Sequence, residues 1–177
     1  MILPDTHLHR LCEEQGLVTP YDPLLVNPHS IDLRLGKWVR RPMQVGHSRG
    51  PRWKKAYEHD GFWLHQGQFA LLSTLERIRM PRNCRGTLFC KSTAGRDGIN
   101  HVMAAYVDAG FEGHLTLEVF NVHPDPAWIE PGMRIVQLEL AQLLSEPLFD
   151  YRQTGRYCDQ GERPEPAREE REINEYI

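Results

Sequence analysis

Cysteine is scarce and scattered in this chain of 177 residues. Its four cysteines, Cys12, Cys84, Cys90 and Cys158, include no Cys-x-x-Cys pair, and no basic-then-apolar leader precedes them. A disulfide framework is therefore excluded as the source of stability, and a reducing, cytoplasmic setting is the expectation. Long apolar runs are missing too. The longest, residues 102–107, falls far short of the roughly 20 residues that a membrane helix needs. Excess charge of either sign is also lacking, since the formal net charge is only −3. That balance argues against a nucleic-acid or membrane-surface protein. What is present is ordinary globular material, with 40% hydrophobic and 25% charged residues in a length suited to one domain.

The charge is nevertheless unevenly placed. Between Leu33 and Tyr57 stand eight Lys or Arg (Arg34, Lys37, Arg40, Arg41, Arg49, Arg52, Lys54 and Lys55) and no acid. With Trp38 and Trp53 among them, the segment could be a nucleic-acid patch, or a solvated loop that meets acidic neighbours in an oligomer. Residues 43–61 are polar and read as a long loop. From Cys158 to Ile177 seven acids face three Arg. The expected organisation is one domain over residues 1–161, followed by an acidic, Pro- and Glu-rich mobile tail over 162–177.

Asp5 or Thr6 can cap a short N-terminal helix in which Leu8, Leu11 and Cys12 share a face and which Gly16 ends. The period then changes to two. Ile31, Leu33 and Leu35 alternate with Asp32 and Arg34, and residues 70–80, 86–91, 114–120 and 134–144 also read as strands. Turn residues separate them, among them Pro81-Arg82-Asn83, Asp97-Gly98, Ala109-Gly110 and Glu130-Pro131-Gly132. Many short strands with such punctuation predict a mostly β domain, a sandwich, jelly roll or barrel.

The residues that carry chemistry concentrate between Lys91 and Glu118. In the strand 114–120, alternation puts Leu115, Leu117 and Val119 on one face and Thr116, Glu118 and Phe120 on the other. A mid-strand carboxylate between apolar neighbours is partly desolvated, which raises its pKa toward the range useful for acid-base work. A solvent-facing glutamate is the competing reading. The run Lys91-Ser92-Thr93-Ala94-Gly95-Arg96 combines two cations, two hydroxyls and a glycine, the groups a polyphosphate needs, without the residue order of a Walker loop. A capped turn would account for it equally well. Asp108, before Ala109-Gly110, could hold a sugar hydroxyl or orient water, or simply cap that turn.

In series, these segments resemble the dCTP deaminase family, a branch of the dUTPase-like superfamily. The resemblance is carried by K-S-T-A-G-R at 91–96, H-V-M-A at 101–104, V-D-A-G-F-E-G-H-L-T-L-E-V-F-N at 107–121 and P-G-M-R-I-V-Q-L at 131–138. N-P-H-S-I-D-L-R-L-G at 27–36 and Tyr151, Arg156, Tyr157, Gln160 and Gly161 support it. It implies a homotrimer of distorted jelly-roll subunits, each with a short N-terminal helix, and active sites at subunit interfaces. It also implies hydrolytic deamination of dCTP to dUTP and ammonia, with Mg²⁺ carried on the triphosphate and no zinc.

By that resemblance Glu118 shuttles protons, Ser92 and the Ala104 carbonyl hold the attacking water, and Arg96 lies beside them. Lys91, Ser92 and Thr93 approach the phosphates, Asp108 the deoxyribose, and Thr116 and Leu117 the base. Tyr151, Arg156 and Gln160 come from a closing C-terminal segment. Met103 stands where the family commonly has Thr, Arg156 where it has Lys, and one residue is missing between Arg96 and His101. These departures, with Asp97 beside Arg96, bear on inhibition by dTTP and on the phosphate contacts.

The residues agree with this chemistry. A zinc deaminase needs His-x-Glu and a later Pro-Cys-x-x-Cys, and the sequence has neither. Two other enzymatic readings remain: a bifunctional dCTP deaminase and dUTP diphosphatase, and a diphosphatase alone in which Asp108 activates water. A non-catalytic trimer that binds nucleotide or nucleic acid through residues 33–57 is a more distant alternative.

Overall fold

The computed structural model of the chain describes residues 1–43, 52–101 and 104–168. Arg49, Met103, residues 44–51 of the polar loop and residues 169–177 of the acidic tail, all invoked above, lie outside the described residues.

The N-terminal helix, α1 (Asp5–Gln15), buries Leu8 and Cys12 and ends at Gly16 as expected. Its start differs from the expectation, because the capping position is Pro4 and no side chain caps the helix. The Pro4 carbonyl accepts the N–H groups of His7 and Leu8 at 3.0 and 3.1 Å. Proline's restricted φ suits this entry, and Asp5 in the first turn meets the positive end of the helix dipole.

The strands are β1 (Val18–Thr19), β2 (Val26–Asn27), β3 (Ser30–Arg40), β4 (Tyr57–Glu58), β5 (Phe62–Leu64), β6 (Phe69–Arg79), β7 (Cys84–Cys90), β8 (Ile99–His101), β9 (Tyr106–Val107), β10 (Glu112–Asn121), β11 (Ala127–Ile129) and β12 (Arg134–Gln142). A 3-10 turn (Pro23–Leu25) and two short α-helices, α2 (Ser92–Arg96) and α3 (Tyr151–Thr154), complete the described chain. The chain is thus mostly β. One sheet runs in the order β8-β10-β6-β3-β12-β7-β9, while β5 and β11 form a separate pair.

β3 is longer than its alternation suggested, and its length shapes the sheet. Its first half pairs with β12 (Leu33 opposite Val136), and its second half pairs with β6 (Val39 opposite Leu72). The register shifts between Leu35 and Val39, so the sheet curls around a single core. Leu33, Leu35, Leu72, Ile78, Leu117, Val119, Val136 and Leu138 fill that core with no more than 0% exposure each. Both faces of much of β3 and β6 are covered, which is why their alternation is muted in the sequence.

The basic segment is tied into this fold. The Arg34 guanidinium pairs with the fully buried Glu76 at 2.7 Å, and Lys37 pairs with Glu58 at 3.2 Å. Arg40 donates to the Pro164 carbonyl at 3.0 Å, and Arg41 lies 4.3 Å over the Phe62 ring. Residues 162–168 likewise pack on the sheet. Pro164 is buried, Arg163 lies 4.4 Å over the Trp38 ring, and Glu162 accepts the Trp38 indole N–H at 3.2 Å. Among the described residues no helix is long and apolar enough to cross a membrane.

Candidate active site

β10 sets the geometry. Its side chains alternate strictly, with Leu115, Leu117 and Val119 in the core and Thr116, Glu118 and Phe120 on the other face. Across the ladder Thr116 faces Ser73, Glu118 faces Leu71 and Phe120 faces Phe69. Directly opposed residues share a face, so Glu118 stands beside Leu71 and near Phe69. These groups border a cavity of about 380 Å³, to which Ala104, Asp108, Thr116, Glu118, Tyr151 and Gln160 all contribute.

Glu118 is held in a largely apolar setting. Burial pushes its carboxyl up from the usual range, partly offset by backbone N–H donors of Glu118 itself and Ala104. Its Oε2 is buried without a hydrogen-bond partner. A buried acceptor left open costs free energy unless something supplies a proton or a donor, so this atom is a ready partner for water or a ligand N–H.

The wall opposite β10 comes from the C-terminal segment. Gly113 and Gln160 form a parallel bridge, and the His114 N–H donates to the Gln160 carbonyl at 2.9 Å. A Cβ at Gly113, where φ is 139°, would lie 2.7 Å from the Gln160 nitrogen. At Gly110, where φ is 81°, a Cβ would lie 2.9 Å from the Asp150 Cβ. The two glycines around Phe111 thus admit the returning chain at close range. Thr116 Oγ1 donates to the buried Gln160 side chain at 2.9 Å and accepts the Glu165 N–H at 3.0 Å. Tyr151 packs on Phe111 with ring centroids 5.7 Å apart. Burial raises its phenol pKa, and nearby Asp108 adds to the rise.

Lys91, Ser92, Thr93 and Arg96 do not border this cavity. Lys91 follows β7 directly, and its amine meets the carboxylate of Asp32 on β3 at 2.5 Å. Asp32 is only 1% exposed and also receives Asn27 at 2.9 Å, Gln137 at 3.2 Å and Arg134 at 3.5 Å. Ser92, Thr93 and Arg96 project from α2 into solvent, and among the described residues their side chains make no hydrogen bond. Arg96 borders a different depression, shared with His123 and Trp128.

Leu117 is buried in the core, so only its backbone faces the Glu118 side. Half-buried Arg156 stands outside the cavity lining. The cavity also takes Tyr157, quoted above among the supporting residues, and side chains that motif reading did not single out, namely Trp53, Phe69, Leu71, Tyr106 and Glu165. Phe69 and Leu71 had a signal, their register opposite Glu118, but reading it requires the strand pairing. Among the described residues no three His, Cys, Asp or Glu side chains cluster as a metal site.

Comparison with known proteins bears on the same elements. The dCTP deaminase-like family model matches residues 2–143. A dCTP deaminase, dUMP-forming, from Thermobifida fusca is 40% identical over 160 residues, covering 82% of this chain and 80% of that protein. Its namesake from Corynebacterium efficiens is 34% identical over 156 residues, covering 82% and 81%. The crystal structure of 2'-deoxycytidine 5'-triphosphate deaminase from Agrobacterium tumefaciens superimposes with a TM-score of 0.64 at 24% identity. That match covers 78% of this chain and 47% of the longer one.

Proposed function

The chain belongs to the dCTP deaminase family, and from that premise we propose that it deaminates dCTP hydrolytically, with Glu118 carrying the protons. The observation that carries this reading is the sheltered Glu118 carboxyl, whose Oε2 lies buried and unpartnered among the groups bordering the cavity. Deamination replaces the amine at C4 of cytosine by oxygen from water. One group must take a proton from the water as its oxygen bonds to C4 and pass it to N3, then take the proton of the new C4 hydroxyl and give it to the amine, which leaves as ammonia as the C4 carbonyl forms. Burial raises the pKa of this carboxyl, which favours its holding a proton between one transfer and the next, as this sequence requires.

The remaining roles follow the family pattern. Ser92 and the Ala104 carbonyl hold the water, with Arg96 beside them. Thr116 and the backbone at Leu117 line the base, and Asp108 meets the sugar. Tyr151, Arg156 and Gln160 grip the nucleotide, which binds as its Mg²⁺ complex. Ser92, Thr93 and Arg96 lie away from the Glu118 cavity of their own chain. The reading is therefore a homotrimer, working in the cytoplasm, in which α2 of one copy reaches the cavity of the next. In that arrangement dTTP would compete as an inhibitor through the same phosphate groups.

A second reading is favoured by the dUMP-forming names of the relatives. In it the same site also hydrolyses dUTP, and the exposed Asp108 carboxylate at the cavity rim activates water against the α-phosphate. Incubation with dCTP and Mg²⁺, followed by chromatographic separation of dCTP, dUTP and dUMP, tests both. Ammonia with dUTP supports deamination alone, and ammonia with dUMP supports the coupled reaction. Unchanged dCTP contradicts both.

A further inference from the structure

The basic segment enters the site in an unexpected place. Trp53 borders the same cavity as Glu118 and packs against Phe69, with ring centroids 5.7 Å apart and planes inclined at 54°. Its backbone is pinned to the end of β3. Pro42 and Trp53 form an antiparallel bridge, the Met43 N–H donates to the Arg52 carbonyl at 2.7 Å, and the Lys54 N–H donates to the Arg41 carbonyl at 3.0 Å. Phe69 in turn lies two residues along β6 from Leu71, which stands opposite Glu118. Glu118, Leu71, Phe69 and Trp53 therefore line one side of the cavity in sequence.

We propose that Trp53 is a positioning residue of the deaminase site, its indole completing the apolar wall that Phe69 and Leu71 set beside Glu118 and keeping bulk water from that carboxyl. The proposal rests on the deaminase reading given above. A broad aromatic surface displaces more water than any aliphatic side chain. A carboxylate next to it loses hydration in its charged form, which adds to the upward push that burial gives Glu118. The wall also explains why the segment carries an indole among cations. Arg52, Lys54 and Lys55 around Trp53 are exposed, while the indole itself is half-buried.

Among the described residues the other titratable groups near Glu118 are few. Asp108, Glu165, Tyr106, Tyr151 and Tyr157 share the cavity, and His101 stands on β8 opposite Val119. The three β6 side chains facing this part of β10, Phe69, Leu71 and Ser73, do not titrate. Burial is the largest cause of the rise at Glu118; a cation brought close to the carboxyl would act against it.

The test is the titration of Glu118, followed by carboxyl-carbon NMR with Glu118→Gln to identify the resonance, beside the pH dependence of ammonia release. Trp53→Ala should let water in and lower the Glu118 midpoint by about half a pH unit or more, while Trp53→Phe should keep the wild-type value. Trp53→Leu, narrower than the indole, should shift it less in the same direction and serves where the alanine variant does not fold. Whether Glu118 acts first as base or acid, the limb of the rate profile that belongs to it moves to lower pH. Removing Arg52, Lys54 and Lys55 should move it the opposite way, which separates a dry wall from a charge effect. An unmoved Glu118 midpoint in both Trp53→Ala and Trp53→Leu overturns the proposal. The titration needs no turnover, so it is independent of the deaminase reading, which fails only if the wild-type enzyme releases no ammonia from dCTP.

Discussion

Around Glu118 the chain supplies walls, backbone donors and a covering C-terminal segment, whereas Ser92, Thr93 and Arg96 stand in solvent without side-chain partners among the described residues. On the proposed function, the contrast follows from two tasks. A carboxyl that must hold a proton near neutrality has to be kept from water, and one subunit can do that with its own sheet. Groups that must meet a polyphosphate have to stay accessible, because pairing them inside the chain would cancel their charge beforehand. Lys91 marks the border between the two designs. Its amine is fixed by the buried Asp32, which anchors the root of α2 while leaving its tip open.

The largest effect expected from this contrast is on turnover. Glu118→Gln keeps the shape of the cavity but removes the proton carrier, and should cut turnover by roughly 10³-fold while dCTP binding persists. Steady-state ammonia release and equilibrium dialysis read the two quantities. A variant that still turns over would remove the distinction between the regions.

Stability should divide the regions as sharply. Leu117 is fully buried behind Glu118, so Leu117→Ala should cost about 2–5 kcal/mol. Thr93→Ala on exposed α2 should change stability by less than about 0.5 kcal/mol. Urea unfolding of both variants checks this, and equal losses would mean that α2 is part of the core.

A smaller effect concerns pH. His101, on β8 beside β10, is 2% exposed with both ring nitrogens unpartnered, and burial lowers its pKa from 6.5 to about 4. The unfolded chain therefore binds the proton first. The stability held above pH 6.5 is lost as pH falls toward about 4, by up to about 3 kcal/mol. His59, also buried and lowered chiefly by desolvation, acts in the same direction. Unfolding free energies between neutral pH and pH 4 should fall in the wild type and fall less in His101→Asn. Identical slopes would show that His101 does not titrate with folding.

How far the sequence could be read depended on whether a feature was local. The alternation over residues 114–120 put Leu115, Leu117 and Val119 on one face and Thr116, Glu118 and Phe120 on the other, and the structure has the first face in the core. The ordered motifs pointed to the family whose model matches residues 2–143. Non-local partners were invisible. Lys91 read as a free cation because its partner, Asp32, is 59 residues away. Trp53 read as part of a charged loop, since its contact with Phe69 exists only once β3 and β6 have paired. Residues 162–168 read by composition as part of a mobile tail. Several of their anchors are backbone groups, the Pro164 carbonyl and the Glu165 N–H, and composition carries no trace of those.

Whether the two regions meet across copies can be measured by subunit mixing. Glu118→Gln and Arg96→Ala are each expected to be nearly inactive as homotrimers. When they are mixed in equal amounts, unfolded together and reassembled, about a quarter of the interfaces should pair an intact Glu118 with an intact Arg96. The account predicts that deamination returns to about that fraction of wild type. If the mixture stays as inactive as its components, each chain builds its site alone, and the assembly of the site from two copies is contradicted.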